Sequence, residues 1–127
     1  MNDPQVTEAI LALAAWCEKK GIAYIHLAEA DWDDAPQVPA DFRETLRATF
    51  SGTLIVAGNY NQDKVDKLLK AGLADLFAFG RPFIANPDLP YRLRNNLPLE
   101  TISDPATLFG GNSAGYTDYP FYKTDET

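Results

Sequence analysis

The chain has 127 residues, with 18 acidic against 11 basic side chains and a formal charge of −7. That length fits one compact domain with a fair core, and scattered Lys and Arg with no basic stripe argue against a nucleic-acid partner. A single cysteine cannot form an internal disulfide, no apolar run approaches the roughly 18 residues of a membrane span, and the N-terminus lacks a signal-peptide pattern, so the expected location is cytoplasmic.

The first segment reads as an amphipathic helix. Asn2 or Asp3 can cap it, Pro4 suits its first turn, and Val6, Ile10, Leu13 and Cys17 recur at helical spacing. Lys19 and Lys20 favour its C-terminal end and Gly21 supplies the stop. Residues 22–27 are short and β-rich and read as a strand, with His26 expected as a hydrogen-bonded core residue in its middle. Residues 29–39, with Glu29, Asp31, Asp33, Asp34, Pro36 and Pro39, form an acidic loop whose spacing lacks the glycine and distal Glu of a calcium site.

The unit then repeats. Phe42, Leu46 and Phe50 mark a second helix, ended by Gly52 and followed by a strand at 53–57. Asn61 caps a third helix with Val65, Leu68 and Leu69 on one face; Gly72 closes it, and 73–79 forms a third strand. Near-continuous apolar strands fit parallel pairing covered on both faces, and tandem helix–strand units argue for an α/β parallel sheet. This pattern leaves a barrel and an open sheet both in play. Residues 81–85 can form a short helix, and Asn86-Pro87 reads as a cap and first-turn proline of another helix reaching about Asn95. The segment 108–120, rich in Gly and aromatics, has no period and must lie against something to be ordered, while 123–127 should fray.

Two apolar runs stop at glycine and turn polar: Val56-Ala57-Gly58-Asn59 and Phe77-Ala78-Phe79-Gly80-Arg81. Glycine lets backbone N–H groups approach an anion, and Arg supplies planar donors suited to phosphate. Two such strand ends side by side would make the phosphate site of a (β/α)₈ barrel, although a full barrel takes about 250 residues and this chain offers roughly half of one. The competing reading makes Gly58 and Gly80 ordinary turns and Arg81 a surface ion-pair residue. Trp32 and Phe109 fall in loops, so each should either pack on the body of the protein or line a pocket. Cys17 should be buried and inert. No metal-ligand cluster, Walker loop or nucleophile elbow is present.

The runs AYIHLAEADW, VAGNY, AFGRPFIANPDL and GYTDYP, in this order along the chain, resemble the C-terminal part of the old yellow enzyme family, in its N-ethylmaleimide reductase and xenobiotic reductase branch. The resemblance covers nearly the whole chain to about Pro120. It implies the C-terminal part of a TIM (β/α)₈ barrel: about three βα units with parallel strands, a single partial-barrel domain over 1–127 with a Gly/aromatic tail from 109. It also implies non-covalent FMN, with hydride passing from NAD(P)H to activated alkenes or xenobiotics. Carried over by motif, Gly58, Asn59, Gly80 and Arg81 bind FMN, with Arg81 also reaching toward the flavin. Trp32 and Phe109 line the substrate pocket, Phe109 standing where many relatives carry a tyrosine.

No segment matches the family's flavin-tuning residue, its substrate-binding His/Asn pair or its tyrosine proton donor, so no catalytic residue is assigned. The leading expectation is the FMN-binding portion of an NAD(P)H-dependent ene-reductase, completed by a complementary N-terminal chain or by a second copy. The alternative is a non-catalytic, self-associating half-barrel. A different phosphate-binding barrel, an isomerase or aldolase needing a catalytic Lys or Glu at a strand end with Glu29 the only candidate, ranks last.

Overall fold

The structure is a computed structural model that describes residues 3–32, 34–109 and 111–123. It divides into two compact units, Met1–Ala78 and Phe79–Thr127.

The first unit alternates helices and strands. Helix α1 spans Pro4–Lys20, strand β1 Tyr24–Ala28, α2 Ala40–Thr49, β2 Thr53–Ala57, α3 Gln62–Lys70 and β3 Leu76–Ala78. The Asp3 carboxylate caps α1 by accepting from the Gln5 amide at 2.9 Å. At its other end Gly21 takes a left-handed φ of 65°, which a side chain would disfavour. Asn61 caps α3 by accepting from the Lys64 amide at 3.0 Å.

The three strands are parallel and ordered β1-β2-β3. Register pairs Tyr24 with Thr53, Leu27 with Val56, and Ala57 with both Ala28 and Ala78, so the carboxyl ends of all three strands are flush. Alternation along the strands sends Ile25, Leu27, Leu54 and Val56 to one face. There they meet α1 and α2 in a core of Ala14, Cys17, Phe42, Leu46, Phe50 and Leu54. Burying a side chain such as Phe50 or Leu54 stabilises by about 1.5–3 kcal/mol.

The opposite face is only partly covered. Tyr24 is 56% and Leu76 54% exposed and His26 is exposed too, while Ile55 of the central strand, paired with both His26 and Leu76, is half-buried. Two expectations are corrected here: the sheet is well covered on one face only, and His26 is not a core residue. The reason is the two-residue alternation, which turns Tyr24, His26 and Ala28 away from the helices.

Strand β3 is shorter than the apolar run 73–79. The Asp75 carboxylate accepts from the Leu54 amide at 2.8 Å while the Asp75 amide donates to the Leu54 carbonyl at 2.9 Å. A side chain thus occupies a position that a main-chain carbonyl would hold, and regular pairing starts one residue later. Arg47 closes this corner, donating to Asp75 at 2.8 Å and to the Phe50 and Gly52 carbonyls at 2.8 and 2.6 Å.

The second unit contains helix α4 at Arg81–Ala85, helix α5 at Leu89–Arg94 and a 3₁₀ turn at Pro105–Thr107. Asn86 is fully buried and does not cap the helix that follows; the residue before α5 is Asp88. Its amide nitrogen donates to the carbonyls of Pro82 at 2.8 Å and Glu100 at 3.0 Å, and its side-chain oxygen accepts from the Glu100 amide at 2.8 Å. A buried primary amide with three partners is satisfied in place, which a solvent-facing cap would not be. Arg92, 2% exposed, ties α5 to the aperiodic segment, donating to the carbonyls of Pro98 at 3.2 Å and Pro120 at 3.1 Å. Of the end expected to fray, 124–127 lie outside the described residues. No helix among the described residues is long and apolar enough to cross a membrane.

Candidate functional site at the carboxyl end of the first-unit sheet

In parallel α/β sheets, polar residues that bind ligands gather just beyond the strand C-termini. Glu29 is the first residue after β1, and its amide extends the ladder by donating to the Ala57 carbonyl at 2.8 Å. Its carboxylate accepts from two sides. Arg43 of α2 donates through both terminal nitrogens, Nη1 at 3.4 Å, and the Tyr60 hydroxyl donates from the loop after β2. The ion pair is largely buried, with side chains 13% and 11% exposed.

Burial, reinforced by the hydrogen bond to Glu29, pushes the Tyr60 phenol well above the ordinary tyrosine range, so it stays a neutral donor. Burial alone would lower the Arg43 guanidinium, but the hydrogen bond and charge of Glu29 outweigh it and hold it higher. The Tyr60 ring stands edge-on to Phe77 of β3, with centroids 5.3 Å apart.

Gly58 sits inside this cluster. A Cβ there would lie 3.2 Å from the Glu29 Cβ and 3.5 Å from the Tyr60 ring, which leaves no slack for a side chain. The Asn59 carbonyl is taken by the Lys64 ammonium at 2.9 Å. The Ala57 carbonyl is taken by Glu29 of the β1 side, so the Gly58 amide faces β3, where Ala57 pairs with Ala78. Asn59, its carbonyl engaged by Lys64, is the turn residue that lies past the ladder.

Beside the turn lies a cavity of about 270 Å³, lined by Trp32, Pro36, Val38, Asn59, Tyr60 and Lys64 among others. It brings Trp32 and Asn59 to one place, with Trp32 still 63% exposed. Gly80, Arg81 and Phe109 belong to the second unit. Gly80 precedes α4 and Arg81 is its first residue, both exposed. Phe109 is 91% exposed, so of its two expected placements, packing on the body or lining a pocket, the first does not hold. The second unit has its own cavity of about 220 Å³, lined by Phe83, Ile84, Leu108, Tyr116 and Tyr119.

Arg43 lies outside the quoted motifs and Tyr60 closes VAGNY without a role assigned to it, so both escape a reading of the sequence. The signals present are weak: Tyr60 falls two residues after a strand-ending glycine, and Arg43 follows the core residue Phe42.

Parallel βα units with ligand-type polar groups at one sheet edge define a piece of a (β/α)₈ barrel. The chain belongs to the NADH:flavin oxidoreductase / NADH oxidase family, whose sequence profile matches residues 2–100. It is similar to morphinone reductase, solved in complex with tetrahydroNAD, at 40% identity and a TM-score of 0.87, covering 99% of this chain and 33% of that one. The old yellow enzyme from Trypanosoma cruzi matches at 30% identity and a TM-score of 0.82, over 95% of this chain and 31% of that one. A 12-oxophytodienoate reductase-like protein from Solanum lycopersicum is 37% identical over 110 residues, 81% of this chain and 28% of its own length. The chain thus spans about a third of the length of the relatives it matches, and its fold is that of the C-terminal part of the barrel.

Proposed function

We propose that this chain supplies the FMN phosphate-binding portion of an NAD(P)H-dependent flavin oxidoreductase acting on activated alkenes or xenobiotics. The observation that carries this reading is the Gly58–Asn59 turn at the flush carboxyl end of the sheet, with Asn59 on the adjoining cavity, in a member of a flavin oxidoreductase family. Gly58 and Asn59 would hold phosphate oxygens through the main chain. Gly80, two residues beyond β3, would do so likewise, and Arg81 would add a guanidinium. When bound, FMN supplies the hydride chemistry; these residues bind and orient it. Trp32, on the cavity beside Asn59, and Phe109 are proposed as pocket aromatics for a small-molecule substrate.

The exposed sheet face, carrying Tyr24, His26 and Leu76, would be covered by a complementary chain or by a second copy, since helices lie outside a (β/α)₈ barrel and this face points to its interior. A partial barrel also leaves strand edges unpaired. A self-associating half-barrel without catalysis is the second reading, favoured by that same exposed face.

Flavin titration followed by fluorescence tests the proposal. FMN should bind more tightly than riboflavin, which lacks the phosphate. Arg81→Ala should weaken FMN by about 1.5–3 kcal/mol, the range for a hydrogen bond to a charged group. Equal affinity for the two flavins would overturn the phosphate assignment.

A further inference from the structure

We infer that Glu29, Arg43 and Tyr60 form one positioning device for the Gly58–Asn59 turn, so that phosphate recognition depends on side chains set behind the ligand. The inference rests on the phosphate reading above. Three observations carry it.

The first is packing. Gly58 lies beside both the Glu29 stem and the Tyr60 ring: a Cβ at Gly58 would stand 3.2 Å from the Glu29 Cβ and 3.5 Å from the ring. The second is connectivity. A single carboxylate gathers a donor from α2 and a donor from the loop after β2, while its own main chain is paired to the last residue of β2. Tyr60 extends the link to β3 through Phe77. The turn is thereby fixed to all three strands and to a helix.

The third is charge. A buried ion pair contributes little net stability compared with apolar residues of similar volume, so stability alone does not account for Glu29 and Arg43 here. A carboxylate next to a phosphate site would repel the ligand unless it were neutralised. Arg43 and Tyr60 occupy the Glu29 oxygens and turn its charge inward. Lys64 does the same for the Asn59 carbonyl. Two acceptors beside the turn, the Glu29 carboxylate and the Asn59 carbonyl, are thus both engaged. Glu29, Arg43 and Tyr60 are positioning residues, with no contact to flavin required.

The test uses the full chain and two flavins. Tyr60→Phe removes one hydroxyl and keeps the ring against Phe77 and Gly58; Glu29→Gln removes the charge. Kd for FMN and for riboflavin is measured by flavin fluorescence, with folding checked by circular dichroism. Tyr60→Phe should weaken FMN about ten-fold, the loss of one hydrogen bond to a charged group, and leave riboflavin unchanged. A purely structural role would weaken both flavins alike, and that result overturns the inference. If Arg81→Ala lowers the FMN-to-riboflavin ratio but Tyr60→Phe does not, the phosphate site stands and the positioning device falls. If the unaltered chain binds FMN no better than riboflavin, both fall together. Should Glu29→Gln fail to fold, the Tyr60→Phe ratio decides alone.

Discussion

Replacing Asp88 with alanine should release the aperiodic segment of the second unit. Asp88 accepts from the Arg92 Nε at 2.8 Å through one oxygen and from the Tyr122 amide at 2.8 Å through the other. The two side chains are 10% and 3% exposed, and the guanidinium also lies over the Tyr122 ring at 5.6 Å. Asp88→Ala leaves a buried cation without its anion and a backbone amide without its acceptor. Breaking a buried pair from one side costs about 3–5 kcal/mol, a large share of the roughly 5–15 kcal/mol that holds a small domain together.

The double variant Asp88→Leu with Arg92→Met removes both charges and should cost less than Asp88→Ala alone, because no charge is stranded. Urea denaturation followed by circular dichroism gives the free energies, and hydrogen exchange at the Tyr122 amide reports the local release. A loss below about 1 kcal/mol for Asp88→Ala, or a double variant at the simple sum of its singles, would refute the reasoning. The pH dependence has a definite sign. Burial works to raise the Asp88 carboxyl, but the Tyr122 amide and Arg92 outweigh it and hold it below the ordinary carboxylate range. Its contribution is therefore complete above the unfolded value, near about pH 3.9, and is lost as pH falls through the lowered folded value.

Leu54→Ala, at a core position 2% exposed, should cost about 2–5 kcal/mol in urea denaturation; a cost under 1 kcal/mol would mean the helix-side core is misplaced. Tyr60 should ionise above the ordinary tyrosine range, read as the difference in phenolate absorbance between the unaltered chain and Tyr60→Phe. Because its folded value is raised, the stability it contributes is complete below about pH 10 and is lost as pH climbs through that folded value; an ordinary titration would contradict its burial with Glu29. Phe109→Ala should leave stability within about 0.5 kcal/mol, as for other surface sites, while changing substrate KM if the residue lines the pocket; a marked loss of stability would instead place that ring in a core.

The sequence makes the βα rhythm readable because each unit carries its own punctuation. Gly21 ends α1, Asn61 opens α3, and the apolar run at 53–57 coincides with β2. What a one-dimensional reading misses is set by contacts distant in sequence. Asp75 shortens β3 through Leu54, and Asn86 is drawn from a cap into a buried bridge by Glu100. The family resemblance supplies Gly58, Asn59, Gly80 and Arg81 through local motifs. The Glu29–Arg43–Tyr60 cluster is spread over two such motifs and a helix outside them, Arg43 and Tyr60 lying 14 and 31 residues from Glu29, so no local pattern brings it together. Nor does an apolar strand disclose which of its faces will be covered, which is why His26 reads as interior.

The two faces of the β1-β2-β3 sheet contribute unequally to cohesion. Cohesion comes from the layer between strands and outer helices, and each βα unit completes its share of that layer with near neighbours. Side chains on the reverse side, among them Tyr24, His26 and Leu76, take no part in it. In a complete (β/α)₈ barrel the same positions fill a packed interior. A second layer of cohesion there has to come from strands that this sheet does not contain.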